Sequence, residues 1–89
     1  MKKINFDFKI VDLSGKEIPD FNTKETTANA VASGNTQFPV RMYEIARKIF
    51  NEGEVELTTE DLLKVKNAIE QNRSMTDIVK AQILEKIDG

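Results

Sequence analysis

The chain contains no cysteine, no histidine and no tryptophan. Without His or Cys it cannot form a disulfide, a Ser-His-Asp or Cys-His nucleophilic site, or the common zinc sites. Carboxylate chemistry survives this exclusion, because Asp and Glu number 15, but none of them has the spacing of a calcium loop, and no phosphate-binding glycine loop is present. We therefore expect a protein that is not an enzyme and that uses no metal or other cofactor.

Long hydrophobic runs are also missing. The longest apolar stretches are two or three residues, whereas a helix that spans a bilayer needs about 20. The first residues, Met1 to Asn5, lack the apolar stretch of a secretory signal. These features predict a protein that does not enter a membrane and stays in the cytoplasm.

The charge is nearly balanced, with a formal net charge of −2. An acidic chain is a poor electrostatic partner for phosphates, so we expect no binding to nucleic acid. Apolar residues make up 39% of the chain and charged residues 31%, a composition typical of a folded protein. The length predicts a single domain, residues 1–89, with a thin core.

Near the N-terminus, apolar and polar residues alternate as in a half-buried strand, with the apolar positions at Ile4, Phe6, Phe8 and Ile10. The segment Asp12–Lys16 predicts a tight turn with positive φ at Gly15, which sets Ile10 opposite Ile18. Pro19 limits the return strand, so a short β-hairpin is expected over residues 3–20. A hairpin alone is marginal, and either a third strand at 54–57 or a second copy of the protein is expected to cover it.

The rest of the chain predicts three to four helices packed on this hairpin, which is an α+β fold. A polar connection contains a possible short helix at 26–33, capped by Thr and stopped at Gly34. Pro39 and Gly53 bound a helix at 39–52, and Thr58 caps another at 59–71. Ser74 is expected to cap the last helix, 75–87. The predicted apolar face of the second helix comprises Val40, Met42, Tyr43, Ile45, Ala46, Ile49 and Phe50.

The most uneven charge lies between positions 51 and 61, where five acidic residues occur with no basic residue: Glu52, Glu54, Glu56, Glu60 and Asp61. One interpretation is an anionic surface for a basic protein partner. The simpler interpretation is local, because Glu60 and Asp61 suit a helix N-terminus and the other glutamates suit the solvent face of a strand.

A different hypothesis concerns the basic residues of the 39–52 helix. Arg41, Arg47 and Lys48 lie between apolar positions, and at a subunit interface they would suit a small anionic metabolite or signal nucleotide. Solvated surface charges are the alternative interpretation of the same residues. The spacing of Met42 and Tyr43 predicts core residues first and ligand contacts second.

Four segments together resemble small proteins of unknown function encoded by bacteriophages and prophages. They are the strand leading into Asp12–Lys16, the Ala28-Asn29-Ala30 segment, the Gly53-Glu54-Val55-Glu56-Leu57 link and the closing Lys80-Ala81-Gln82-Ile83-Leu84 sequence. The likeness spans nearly the whole chain, departs from the pattern in the Thr-rich segment before Ala28, and carries over no functional residue.

This resemblance implies a bacterial cytosol and a non-catalytic protein that binds or modulates a host or phage protein. The thin core and the hairpin that needs cover add an expectation of a small homo-oligomer. The alternatives are a protein that sequesters a small anion and a component of the virion or its assembly.

Overall fold

A computed structural model describes all residues, 1–89. The elements in chain order are β1 (Lys2–Asn5), α1 (Thr23–Ala32), α2 (Pro39–Glu52), β2 (Glu54–Leu57), α3 (Thr59–Gln71) and α4 (Asp77–Asp88). They confirm the expected α+β class, including the strand at 54–57. No helix has both the length and the apolar character that a membrane crossing requires.

β1 and β2 form a two-stranded antiparallel sheet, in which Ile4 is opposite Val55 and Lys2 is opposite Leu57. The inner face buries Ile4, Val55 and Leu57. On the outer face, Lys3 Nζ lies 3.2 Å from Glu54 Oε1. The alternation of apolar and charged residues in both strands therefore sets which face of the sheet meets the core.

The predicted turn is present, but the hairpin that it closes is short. The N–H of Gly15 donates to Asp12 O, Gly15 has φ +88°, and Ile18 N donates to Ile10 O as the expected register requires. The Ile18–Ile10 bond and a bond from Asp12 N to Lys16 O form the one bridge of this hairpin, between Val11 and Glu17. The Asp12 carboxylate accepts from Ser14 Oγ, and this bond is the main cause of a pKa below the ordinary value for Asp12.

Side chains from two helices pair the backbone of the extended segment between β1 and this turn. Thr23 Oγ1 accepts from Phe8 N at 3.0 Å and donates to Phe8 O at 2.6 Å. Gln82 on α4 does the same for Val11, with its Oε1 3.0 Å from Val11 N and its Nε2 2.7 Å from Val11 O. These side chains therefore satisfy the backbone groups of Phe8 and Val11 in place of a further strand.

α1 begins earlier than the sequence predicted. Its cap is Asn22, whose side chain accepts from Glu25 N, and the helix ends at Ala32, before Gly34. Thr23 and Thr27 on its inner face are fully buried. The predicted start at residue 26 with a Thr cap is therefore wrong, because the threonines serve the packing of the helix and the asparagine before them caps it.

α2, β2 and α3 have the bounds that the sequence predicted. Pro39 opens α2, and the N–H of Gly53 donates to Ile49 O as α2 ends. Gly53 has φ +74°, and a Cβ there would lie 2.9 Å from Asp7 Cβ, so the chain turns into β2 where only glycine fits. Thr58 caps α3 by accepting from Asp61 N.

α4 begins after Thr76, so Ser74 is not its cap. The turn that precedes it is held instead by Asn72, whose Oδ1 accepts from Ser74 N and Met75 N. Lys80 Nζ bonds the backbone oxygens of Glu70 and Asn72, which caps the end of α3. The α3–α4 hairpin itself is as expected.

The core is one cluster of 16 buried residues drawn from the sheet, the extended segment and all four helices. Phe6 and Ile10 are buried within it and Phe8 is partly buried against it, so the molecule covers the face of the N-terminal segment itself. The Cα radius of gyration is 12.3 Å, close to the value of about 12 Å for a compact domain of this length. The N-terminal face therefore does not need a second subunit for cover.

Candidate functional site

The five acidic residues of positions 51–61 do not form one surface. Glu52, Glu54, Glu56 and Glu60 are exposed, whereas Asp61 is buried, with 4% of its surface exposed. Glu54 pairs with Lys3 across the sheet. Asp61 is therefore not part of an anionic surface, and the surface expected from the sequence is reduced to glutamates on the end of α2, on β2 and on the start of α3.

Asp61 and Arg41 form the most buried ion pair of the molecule. Arg41 donates from Nε to Asp61 Oδ1 at 3.1 Å and from Nη2 to Asp61 Oδ2 at 2.5 Å, and its Nη1 lies 3.3 Å from Glu44 Oε2. These bonds hold the pKa of Asp61 below its usual value, although burial opposes them, and they raise the pKa of Arg41. The two-pronged geometry is a structural clamp between α2 and α3.

This clamp removes Arg41 from the predicted basic wall. Arg47 and Lys48 remain exposed and lie beside a shallow surface depression with Glu44, Asn51 and Glu52. Arg47 lies over the Tyr43 ring, with its Cζ 5.5 Å from the ring centroid. Since acids intervene and the depression has no apolar wall, the three basic residues do not form one anion site.

The solvent side of α2 carries an apolar stripe that the core does not use. Its members are Val40, Tyr43 and Phe50, exposed at 70%, 58% and 44%, with Arg47 among them. Spacings of three and four residues place all four side chains on one face. The expectation that Tyr43 is a core residue is wrong, whereas Met42, Ile45, Ala46 and Ile49 are buried as predicted. We call Val40, Tyr43, Arg47 and Phe50 the α2 stripe.

A second feature is a polar groove between two parts of the chain that are distant in sequence. One wall is the end of α1 and the loop to Phe38, and the other is the second half of α3 and the turn after it. The cavity has a volume of about 820 Å³, within the range of ligand pockets. Its cations are Lys64 and Arg73, and no carboxylate lines it. We call it the α1–α3 groove.

Sequence reasoning missed this groove, although a signal for one wall exists. Lys64, Asn67 and Gln71 recur at spacings of three and four, so they form a polar row along one face of α3. The opposite wall gives no such signal, because Asn35 and Gln37 lie in a segment that reads as a solvated connection. Only the fold brings the two segments together.

No group of three or more acidic side chains is placed to hold a metal ion. In comparisons with known proteins, the chain matches no family model, and no curated protein or solved structure is significantly similar to it. The functional proposal therefore rests on the surface chemistry of the molecule.

Proposed function

We propose that this protein is a non-catalytic binding protein that acts through the α2 stripe and forms a homodimer there. The observation that supports it is the exposure of Val40, Tyr43 and Phe50 on one face of one helix. Single exposed apolar residues such as Leu13 and Leu63 are ordinary, but several exposed apolar residues on one face of a helix are typical of an interaction surface.

A second copy is the occupant that the spacing of the stripe favours. In an antiparallel pair of α2 helices with a two-fold axis at the level of Ile45, Val40 of one copy faces Phe50 of the other, and Tyr43 faces Arg47. Two-fold interfaces require such self-complementarity. Each Arg47 would then lie between two Tyr43 rings, which extends the contact already made within one chain.

A charge-swap experiment tests this arrangement. Val40→Asp and Phe50→Lys each place a charge opposite an apolar side chain, so each should raise the dimer dissociation constant by about 10-fold or more. The double variant places Asp opposite Lys and should restore the dimer. The measurement is the mass by analytical ultracentrifugation across a concentration series, with Leu63→Asp as the control outside the stripe.

Three results would overturn this dimer. The first is a mass of 10.1 kDa at every concentration of the unaltered protein. The second is equal dissociation in the Leu63→Asp control. The third is no rescue in the double variant, since the charges of a real two-fold contact must compensate.

For the setting, we propose a phage or mobile element, on the support of the resemblance described above. The dimer would then act on a host or phage protein in the cytosol of an infected bacterium. Native mass spectrometry of a lysate from such a host should detect the dimer. Recovery of the protein from purified phage particles in a fixed ratio to the other virion proteins would instead favour a role as a component of the virion or its assembly.

A further inference from the structure

We propose that the α1–α3 groove binds a nucleotide, with its phosphates at the Lys64 end and its base along Asn67 and Gln71. This site is separate from the α2 stripe, and the inference does not depend on the dimer. It also differs from the basic wall expected from Arg41, Arg47 and Lys48, because it uses other residues on another side of the molecule.

The charge of the groove is the first observation. Lys64 and Arg73 form no ion pair with any carboxylate of the chain, whereas Lys3, Arg41 and Lys66 do. Arg73 also borders a neighbouring depression that is lined by Glu70 and Asp77. In a chain of net charge −2, a cavity with unpaired cations and no acid is suited to an anion.

Lys64 is positioned by an aromatic ring and not by a carboxylate. Its Nζ lies 4.0 Å from the centroid of the Phe38 ring, which attracts the ammonium but does not neutralise it. The residue after Phe38 is Pro39, the first residue of α2, and no side chain caps this helix N-terminus. Phe38, which lines the groove, directly precedes this helix end and its partial positive charge.

The amide side chains of the groove are the second observation. Asn35, Gln37, Asn67 and Gln71 line it, and all four are exposed to solvent, with no side-chain hydrogen bond to the rest of the protein. By contrast, Gln82 uses both ends of its amide on the backbone of Val11, and Asn72, which also lines the groove, uses its Oδ1 to accept from Ser74 N and Met75 N. Each free amide presents a donor beside an acceptor, which matches the edge of a nucleobase.

The length of the groove sets the size of the ligand. Lys64 and Gln71 are seven positions apart on α3, which corresponds to about 10 Å along the helix axis. An inorganic phosphate can reach only one end of such a row. A nucleotide places an anionic group at one end and a hydrogen-bonding, planar base at the other, where Arg73 can also stack on it.

Calorimetric titration with ATP, GTP, CTP and UTP tests the site, with inorganic triphosphate as the base-free probe. At least one nucleotide should bind with a dissociation constant below about 1 mM and more tightly than triphosphate. Lys64→Ala should weaken both probes, the nucleotide by about 10-fold. Gln71→Ala should weaken the nucleotide and leave triphosphate unchanged, which a merely structural role would not produce.

Lys48→Ala is the matched control, because it removes the same charge from an exposed position outside the groove. The inference is overturned if no nucleotide binds, if triphosphate binds as tightly as every nucleotide, or if Lys48→Ala weakens binding as much as Lys64→Ala. Tighter, salt-sensitive binding of a single-stranded ten-nucleotide DNA would overturn the assignment to free nucleotides, because the ligand would then be a nucleic-acid strand.

Discussion

At the scale of single residues, two polar side chains form the backbone hydrogen bonds that a longer β-ladder would otherwise form. Phe8 and Val11 lie in an extended segment whose only strand pairing is the bridge from Val11 to Glu17, and the N–H and C=O groups of both residues are paired by Thr23 and Gln82. An unpaired backbone group away from water is costly. The fold of the N-terminal segment therefore depends on side chains of α1 and α4.

A matched pair of substitutions in α1 tests this dependence. Thr23→Val leaves both backbone groups of Phe8 without a partner, so it should lower the free energy of unfolding by about 1–3 kcal/mol. Thr27 is equally buried, but its hydroxyl has no hydrogen-bond partner. Thr27→Val removes that unpaired group and should be neutral or stabilise the protein by up to about 1 kcal/mol.

Urea unfolding of both variants measures the difference, since the two changes are chemically identical and lie one helical turn apart. Equal losses in the two variants would show that the paired bonds to Phe8 do not contribute. They would instead assign the effect to the general cost of changing threonine to valine in this helix.

At the scale of elements, the sequence predicted the bounds of the helices and strands whose ends carry local signals. Pro39, Gly53 and Thr58 each act on the backbone next to them, so α2, β2 and α3 have the expected bounds. The apolar period also predicted the buried half of α2. The apolar period did not distinguish the buried half of α2 from the α2 stripe, because Met42 and Tyr43 follow the same spacing. The elements that pack on α2, α1 above all, determine which of the two side chains is covered.

The errors lie where a tertiary partner decides the role of a polar residue. In the sequence, Thr23 belongs to a polar connection, and only the fold brings it to the backbone of Phe8. Asn72, and not Ser74, stabilises the turn before α4. The α1–α3 groove escaped prediction for the same reason, since its two walls are about 30 residues apart in the sequence.

The junction between α2 and β2 offers a prediction at this scale. Gly53→Ala should destabilise the protein by at least about 1–2 kcal/mol, because a side chain there combines positive φ with a contact to Asp7 at 2.9 Å. The consequence should extend to the sheet, since Phe6 N donates to Gly53 O. Thermal unfolding monitored by circular dichroism is the measurement.

Two other glycines serve as graded controls for Gly53→Ala. Gly15 has φ +88° but open space around it, so Gly15→Ala should cost less, about 1 kcal/mol. Gly34 has no positive φ and only an ordinary contact at 3.8 Å, so Gly34→Ala should be neutral within about 0.5 kcal/mol. If the losses of stability in the three variants followed a different order, the close contact with Asp7 would not be the cause of the effect of Gly53→Ala.

At the scale of the whole molecule, the chain covers its own N-terminal face and leaves the α2 stripe exposed. The surface open to the proposed self-association is therefore the solvent side of α2 and not the hairpin, for which the sequence predicted a partner. The molecule separates two surfaces of different chemistry. The stripe is apolar with a central arginine, whereas the groove is polar and carries unpaired cations.

The Arg41–Asp61 clamp makes the stability of the whole molecule depend on pH. The pKa of Asp61 is lower in the folded protein than its ordinary value, so the ionised carboxylate stabilises the fold above the unfolded pKa of about 3.9. This contribution is lost as the pH falls through the folded pKa. Arg41, whose pKa is raised, stays charged throughout this range.

We therefore expect Asp61→Asn to lower the free energy of unfolding by about 1–2 kcal/mol at pH 7, a value kept modest because Arg41 is 43% exposed. The deficit relative to the unaltered protein should shrink below about pH 4. Glu44→Gln removes the other, exposed partner of Arg41 and should change the stability by less than about 0.5 kcal/mol. Urea unfolding at pH 7, 5 and 3 separates the cases, because a deficit that stays constant with pH would assign the effect of Asp61→Asn to packing and not to the charge of the clamp.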